Sequence, residues 1–260
     1  MRVWGSYLTL DPEWLLLLAA VAFLAGTVDT LAGGGGLITV PAFLMAGLSP
    51  AAALATNKCQ AFAGTLTAAS RLVLSGHLNL KTLWPFAVLA FVASLLGAWG
   101  LRESAGAPWL ERVVPLMLIA AALYFGFVRM PDNATDSESR FSFWPVLGVA
   151  LIGWYDGFFG PGTGSLFALL MVTGLGMALR AATIHAKLFN AMTNLAALML
   201  FVSSDLVVWE AVWVMIPAQI LGALLGTRLI LGRGLVLVRP LVVLMCLLMA
   251  LKLASDAWLP

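Results

Sequence analysis

Asp29-Thr-Leu-Ala-Gly-Gly-Gly-Gly36 and Asp156-Gly-Phe-Phe-Gly-Pro-Gly-Thr-Gly164 are the two stretches that decide how this chain folds. Each opens on an acid, breaks into glycine and lies inside an apolar segment, and the second begins 127 positions after the first. Glycine and proline interrupt helices. Inside a bilayer, backbone released from a helix persists only where protein buries it or where it lines a polar cavity. Interrupted apolar segments in corresponding positions of two halves point to the substrate site of a transporter.

Composition sets the class. Asp, Glu, Lys and Arg make up 10% of the 260 residues, against about 25% in soluble domains. Mean hydropathy is +1.01, too apolar for a water-exposed surface. The chain therefore reads as an all-α polytopic membrane protein, with the lipid bilayer as its first partner. Apolar stretches at 14–31, 83–101, 113–128, 143–159, 207–231 and 241–253 approach the roughly 20 residues a spanning helix needs. They lack the alternation of barrel strands. No removable signal peptide is expected, and Asp11-Pro12-Glu13 starts the first helix with proline and an acid in its first turn.

The net charge of +2 is small and scattered, which excludes a nucleic-acid partner. Cys59 and Cys246 read as buried small hydrophobes. Two isolated histidines and two distant cysteines supply no metal-ligand cluster. No cofactor is expected.

The repeat reaches beyond the glycines. Gly47-Leu48 matches Gly174-Leu175, Ala55-Thr-Asn-Lys58 matches Ile184-His-Ala-Lys187, and Ala93-Ser-Leu-Leu-Gly-Ala98 matches Ala218-Gln-Ile-Leu-Gly-Ala223; Pro115-Leu matches Pro240-Leu. The chain divides into an N-terminal repeat at 1–129, a polar connecting loop at 130–142 and a C-terminal repeat at 143–260. Each holds four to five hydrophobic segments, eight to ten in total. In the first they fall at 13–31, 37–47, 50–74, 82–101 and 108–129. The short one, and its counterpart at 164–174, spans about half a bilayer at 1.5 Å per residue. Counting all five, Arg71, Lys81, Arg129, Arg140, Arg180, Arg228, Arg233 and Arg239 share one side, with Arg2, Arg102, Arg112 and Lys252 opposite. The positive-inside rule favours that odd count. It implies inverted-topology repeats, termini outside the cytoplasm and both broken segments near one midplane.

Gly33-Gly-Gly-Gly36 with Val40-Pro41, Gly47-Leu-Ser-Pro50 and Ala55-Thr-Asn-Lys-Cys-Gln60 resembles the first-half signature of the TauE/SafE (TSUP) sulfite exporter family. Asp156-Gly-Phe-Phe-Gly-Pro-Gly-Thr-Gly164 and Ala182-Thr-Ile-His-Ala-Lys-Leu-Phe-Asn190 resemble its second half. The resemblance covers nearly the whole chain, and His185 departs from it where a small residue is expected. It implies a multi-pass permease of the bacterial inner membrane that moves small organosulfur or sulfur oxyanions, such as sulfite, sulfonates and sulfoacetate, usually outward.

The residues themselves fit an anionic substrate. Amides freed at a helix start by Gly33, Gly34, Gly35 and Gly36, and by Gly160, Gly162, Thr163 and Gly164, form an anion-binding concavity. Lys58 and Lys187, equivalent in the two halves, supply countercharge. A lysine at mid-membrane costs about 2.5 kcal/mol or more, so each needs a partner or a wet cavity. Three readings stand: permanent pairs of Lys58 with Asp29 and Lys187 with Asp156, direct anion binding, or snorkelling to an interface. The first two combine if Asp29 or Asp156 frees its lysine on protonation, which would make the carboxylate a proton-coupling site. Asn57, Gln60, His185 and Asn190 complete the candidate ligands, while Thr65 and Asn194 read as interhelical hydrogen-bonders.

Gly222-Ala-Leu-Leu-Gly226 offers a close-packing face, used within the subunit or in a homodimer. Trp4, Trp14, Trp84, Trp109, Trp144, Trp209 and Trp258 mark span ends. An alternating-access secondary transporter explains the duplication and the paired lysines. An anion channel uses similar parts. A membrane-embedded sulfur-handling protein would need a reactive thiol, and Cys59 is its candidate.

Overall fold

The computed structural model describes residues 11–78, 80–127 and 143–231. These form α1 (Pro12–Ala32), α2 (Gly36–Met45), α3 (Pro50–Leu74), α4 (Leu80–Glu103), α5 (Trp109–Phe127), α6 (Phe143–Phe158), α7 (Thr163–Leu175), α8 (Leu179–Phe201) and α9 (Trp209–Leu231). The five segments expected in the first half match α1 to α5. The connecting loop at 130–142, the segment at 241–253, Pro240, Cys246, Trp4, Trp258 and the terminal charges lie outside the described residues.

Local chemistry sets the breaks. Pro12 and Pro50 open their helices, where a missing N–H costs nothing. The Ser49 hydroxyl accepts the Ala52 N–H at 3.3 Å and caps α3. At the other end, Gly33 adopts φ 76° and closes α1 with its N–H on the Asp29 carbonyl at 2.7 Å. A left-handed residue there favours glycine.

Among the described residues, four helices are long and apolar enough to cross a membrane by composition: Pro12–Ala32, Leu83–Glu103, Trp109–Phe127 and Trp209–Leu231. Their outward faces carry bare apolar side chains, Leu16 at 75% exposure and Trp213 at 66% among them, as lipid contact requires. Trp84, Trp109 and Trp144 lie exposed near helix starts. The less apolar α3 and α8, 25 and 23 residues long, form the interior. α3 packs on α9 and α8, and α8 packs on α4. Their polar side chains Asn57, Lys58, Gln60, Lys187, Asn190 and Asn194 are buried, which explains how helices this polar can lie inside the bundle.

The helices before and after 128–142 interlock. α1 packs most extensively on α9, and α4 on α6. Glycine makes both contacts close. A Cβ on Gly222 would strike the Phe23 carbonyl, and one on Gly226 would lie 2.6 Å from the Thr30 Cβ. A Cβ on Gly97 would strike the Trp154 carbonyl, and one on Gly157 the Ser94 carbonyl. Across the first contact the Thr27 hydroxyl donates to the Gly222 carbonyl at 3.1 Å. The Gly222/Gly226 face is therefore used within the chain, against α1.

Candidate functional site

The two glycine breaks meet at the centre. The Gly33 backbone lies against Gly164 and Ser165, and the Ser165 hydroxyl donates to the Ala32 carbonyl at 2.5 Å. A Cβ on Gly36 would come within 3.1 Å of the Pro161 Cα. Gly160 and Gly162 take φ 95° and 85°, values open to glycine at little strain. Gly160 has a second role: a Cβ there would sit 2.6 Å from the Lys58 ammonium. Its missing side chain is the space the lysine occupies.

Lys58 donates to Asp156 Oδ1 at 2.5 Å, with the two side chains 2% and 1% exposed. Lys187, fully buried, donates to the Asp29 backbone carbonyl and stands 3.9 Å from Asp29 Oδ2. The pairing expected within each half, Lys58 with Asp29 and Lys187 with Asp156, is thus exchanged between the two parts of the chain. Asp29 near the end of α1 meets Lys187 of α8, and Asp156 near the end of α6 meets Lys58 of α3, so the acid in the same half as a lysine is not the acid nearest to it in space.

The two pairs differ. Lys58–Asp156 is tight and dry; Asp29 is 14% exposed and looser. The Asp29 carboxylate accepts the Gly35 N–H on Oδ1 at 3.2 Å and the Asn190 amide on Oδ2 at 3.4 Å. Backbone amides expected to be free for substrate are in part already used: Gly33 N–H by the Asp29 carbonyl, Gly35 N–H by the Asp29 carboxylate. Thr163 is also turned inward on its own loop, with N–H and hydroxyl both on the Gly160 carbonyl.

A cavity of about 20 Å³ lies between these groups. Asp29, Gly33, Gly35, Gly36, Asn57, Lys58, Gln60, Asp156, Gly160, Gly162, Gly164 and Asn190, all singled out in the sequence, border it. Gly34, Thr163, His185 and Lys187 do not. The His185 ring nitrogen Nδ1 instead pairs with the Ala181 carbonyl at 2.7 Å, one turn back on its own helix. Lys187 reaches the site only through Asp29. Thr65 and Asn194 also border the cavity, bonded to each other across α3 and α8 at 3.4 Å. Cys59 is 3% exposed and packs into the apolar core, so its thiol faces no cavity.

Gln219 of α9 is the polar lining residue the sequence reading missed. It is 2% exposed, and its side chain lies against Gly64 of α3. A signal was present, since Gln219 aligns with Ser94 in the repeated Ala-x-x-Leu-Gly-Ala segment. A glutamine inside an apolar span needs a polar partner.

Comparison with known proteins agrees with this architecture. The family model described as sulfite exporter TauE/SafE matches residues 18–253. A probable membrane transporter protein of Haemophilus influenzae is 39% identical over 245 residues, covering 94% of this chain and 96% of its own. The probable membrane transporter protein YfcA of Escherichia coli K12 is 39% identical over 260 residues, covering 99% and 96%. A sulfite exporter TauE/SafE family protein 5 of Arabidopsis thaliana is 35% identical over 89 residues, or 34% of this chain and 20% of its own. No solved structure matches. With the family model spanning nearly all of it, the chain belongs to the sulfite exporter TauE/SafE family of membrane transporters.

Proposed function

We propose that the protein is a secondary transporter that exports a small sulfur oxyanion, such as sulfite, a sulfonate or sulfoacetate, across the bacterial inner membrane by alternating access. The observation that carries this reading is the environment of Asp29. Its carboxylate receives a backbone N–H from Gly35, an amide from Asn190 and the nearby charge of Lys187. That is the donor set a substrate oxyanion needs, and a carboxylate and a sulfonate use the same donors. Asp29 is an internal stand-in for substrate.

Transport follows from exchange. An anion takes over the donors when Asp29 or Asp156 gives up its lysine, and protonation of that carboxylate is the simplest release. Gly33 to Gly36 and Gly160 to Gly164 then allow close approach, Lys58 and Lys187 supply charge, and Asn57 and Asn190 fix orientation. A cavity of about 20 Å³ holds about one water, so this is a closed state that must open to admit a sulfur oxyanion. Two halves, 1–129 and 143–260 joined by 130–142, with opposite orientation give that opening a natural axis. Supporting them are the exchanged ion pairs and the reciprocal packing of α1 on α9 and α6 on α4.

The test is flux. Purified protein in liposomes, given labelled sulfite, sulfoacetate or taurine under an imposed pH gradient, is expected to show saturable, gradient-dependent movement of at least one. Unsaturable flux independent of the gradient would favour a channel, and no flux of any would remove the substrate class.

A further inference from the structure

Three residues that border the cavity each carry a buried side-chain oxygen that receives no hydrogen bond from the described residues: Asp156 Oδ2, Gln60 Oε1 and Gln219 Oε1. They are 1%, 1% and 2% exposed. Asp156 turns its other oxygen to Lys58. Gln60 is oriented by its own Nε2, which donates to Asn57 Oδ1 at 3.1 Å, an oxygen that also accepts the Thr39 hydroxyl at 2.5 Å. Its carbonyl end is therefore the one left over. Gln219 crosses from α9 to lie against Gly64, one turn beyond Gln60 on α3.

Buried acceptors without donors are costly and call for a partner. An oxyanion cannot be that partner, because it brings acceptors to acceptors. A proton on Asp156 would serve its own carboxyl and leave the two amide oxygens as they are. A single water brings two hydrogens to three acceptors, whereas a compact cation suits all three. The size agrees, since a cavity of about 20 Å³ takes one water-sized particle and excludes a sulfur oxyanion. The charge selects further. A divalent ion gathers several carboxylates, whereas here one carboxylate is shared with Lys58 and the other two oxygens are neutral. Among the described residues no group of three His, Cys, Asp or Glu could hold such an ion.

We propose that Asp156, Gln60 and Gln219 form a site for a sodium-sized monovalent cation, whose entry competes with Lys58 for Asp156 and frees the ammonium for the anionic substrate. The coupling half of this statement rests on the transport reading above. It divides the labour of the two acids: Asp156 takes the alkali cation, and Asp29, the more exposed of the two at 14% against 1%, is left to the proton.

The test uses the full chain in nanodiscs with ²²Na⁺ as probe, in buffers balanced with choline. Saturable binding displaced by unlabelled sodium is expected. Gln60→Leu and Gln219→Leu should each weaken it about tenfold or more, with melting in choline unchanged, so that loss of the site is separated from loss of the fold. Sodium should raise the affinity for the transported anion, and that anion should raise the affinity for sodium by the same factor. No saturable sodium binding by the native protein overturns the proposal, as does native-like binding in both folded variants, or sodium binding that leaves anion affinity unchanged. Sulfite flux in sodium-free liposomes by a protein that binds no sodium would remove the cation site and keep the transport reading. Sodium binding lost in the leucine variants, in a protein that moves no sulfur oxyanion, would keep the site and remove the substrate class.

Discussion

Lys58→Met is the substitution whose cost the structure specifies best. Lys58 and Asp156 are 2.5 Å apart and 2% and 1% exposed, which puts the pair in the buried regime rather than with surface pairs worth about 0–1 kcal/mol. Methionine keeps the reach of the side chain but removes the charge. Asp156 is then left with both oxygens unserved, since Oδ2 already lacks a donor. Removing one partner of a buried pair costs about 3–5 kcal/mol, mostly the penalty of the charge left behind. Lys58→Met/Asp156→Leu removes that charge too, and replacing a buried pair by apolar residues is often neutral. The single variant should therefore be strongly destabilised, the double should regain most of the loss, and neither should transport. Denaturation followed by the fluorescence of the ten tryptophans, beside flux in liposomes, measures both. A single variant within about 1 kcal/mol of native, or a double no better than the single, would refute the argument that the pair is buried and mutually dependent. Native flux in the double would refute a role in binding.

The other predictions use the same two assays. Asn190→Leu removes a donor from Asp29 Oδ2; a hydrogen bond to a charged group is worth about 1.5–3 kcal/mol, so stability should fall by that order and, with Asn190 also serving the substrate, KM for the transported anion should rise roughly tenfold or more; an unchanged KM would take Asn190 out of the site. His185→Ala should leave KM unchanged, because the ring is turned to the Ala181 carbonyl. Cys59→Ala should transport normally, since the thiol is packed in the apolar core; abolished flux would revive the sulfur-handling reading. Gly97→Ala should cost about 1–3 kcal/mol or more because its Cβ meets the Trp154 carbonyl, whereas Gly100→Ala, three residues on with its Cβ 3.5 Å from Phe158, should be neutral or stabilise by up to about 1 kcal/mol. Equal melting temperatures for the two would show that α4 and α6 are not in close contact.

Much of this was legible because the bilayer limits what backbone can do. Glycine clusters at 33–36 and 160–164 had to be buried in protein or line a cavity, and they do both. Helix ends were readable from Pro12, Ser49-Pro50 and Gly33, whose roles are local. What stayed hidden is non-local. The partner of Lys58 depends on which acid its side chain reaches, and the repeat made Asp29 the obvious choice when Asp156 of α6 was the one within reach. Gln219 stayed hidden for the same reason: the repeat aligns it with Ser94, but its neighbour Gly64 lies on another helix and the repeat does not say where it points. His185 shows the converse. It shares the repeat position of Thr56, and neither borders the cavity: the Thr56 hydroxyl accepts the Val208 N–H, and His185 pairs with a carbonyl of its own helix.

Charge balance explains why such a site would couple two ions. Two lysines face two aspartates, so the centre is neutral as it stands and offers no unspent positive charge to an arriving anion. An anion about 4 Å from an ionised carboxylate is opposed by about 4 kcal/mol at an effective dielectric of about 20. That is roughly a thousandfold in affinity. Neutralising one carboxylate, by a proton at Asp29 or a cation at Asp156, removes the repulsion and releases a lysine in the same step. Binding of the positive and negative partners is then mutually reinforcing by necessity, with no separate signalling element required. Removing both acids tests this directly: Asp29→Asn/Asp156→Asn should bind the anion more tightly and lose its dependence on the pH or sodium gradient, and a variant still driven by either gradient would show that coupling lies elsewhere.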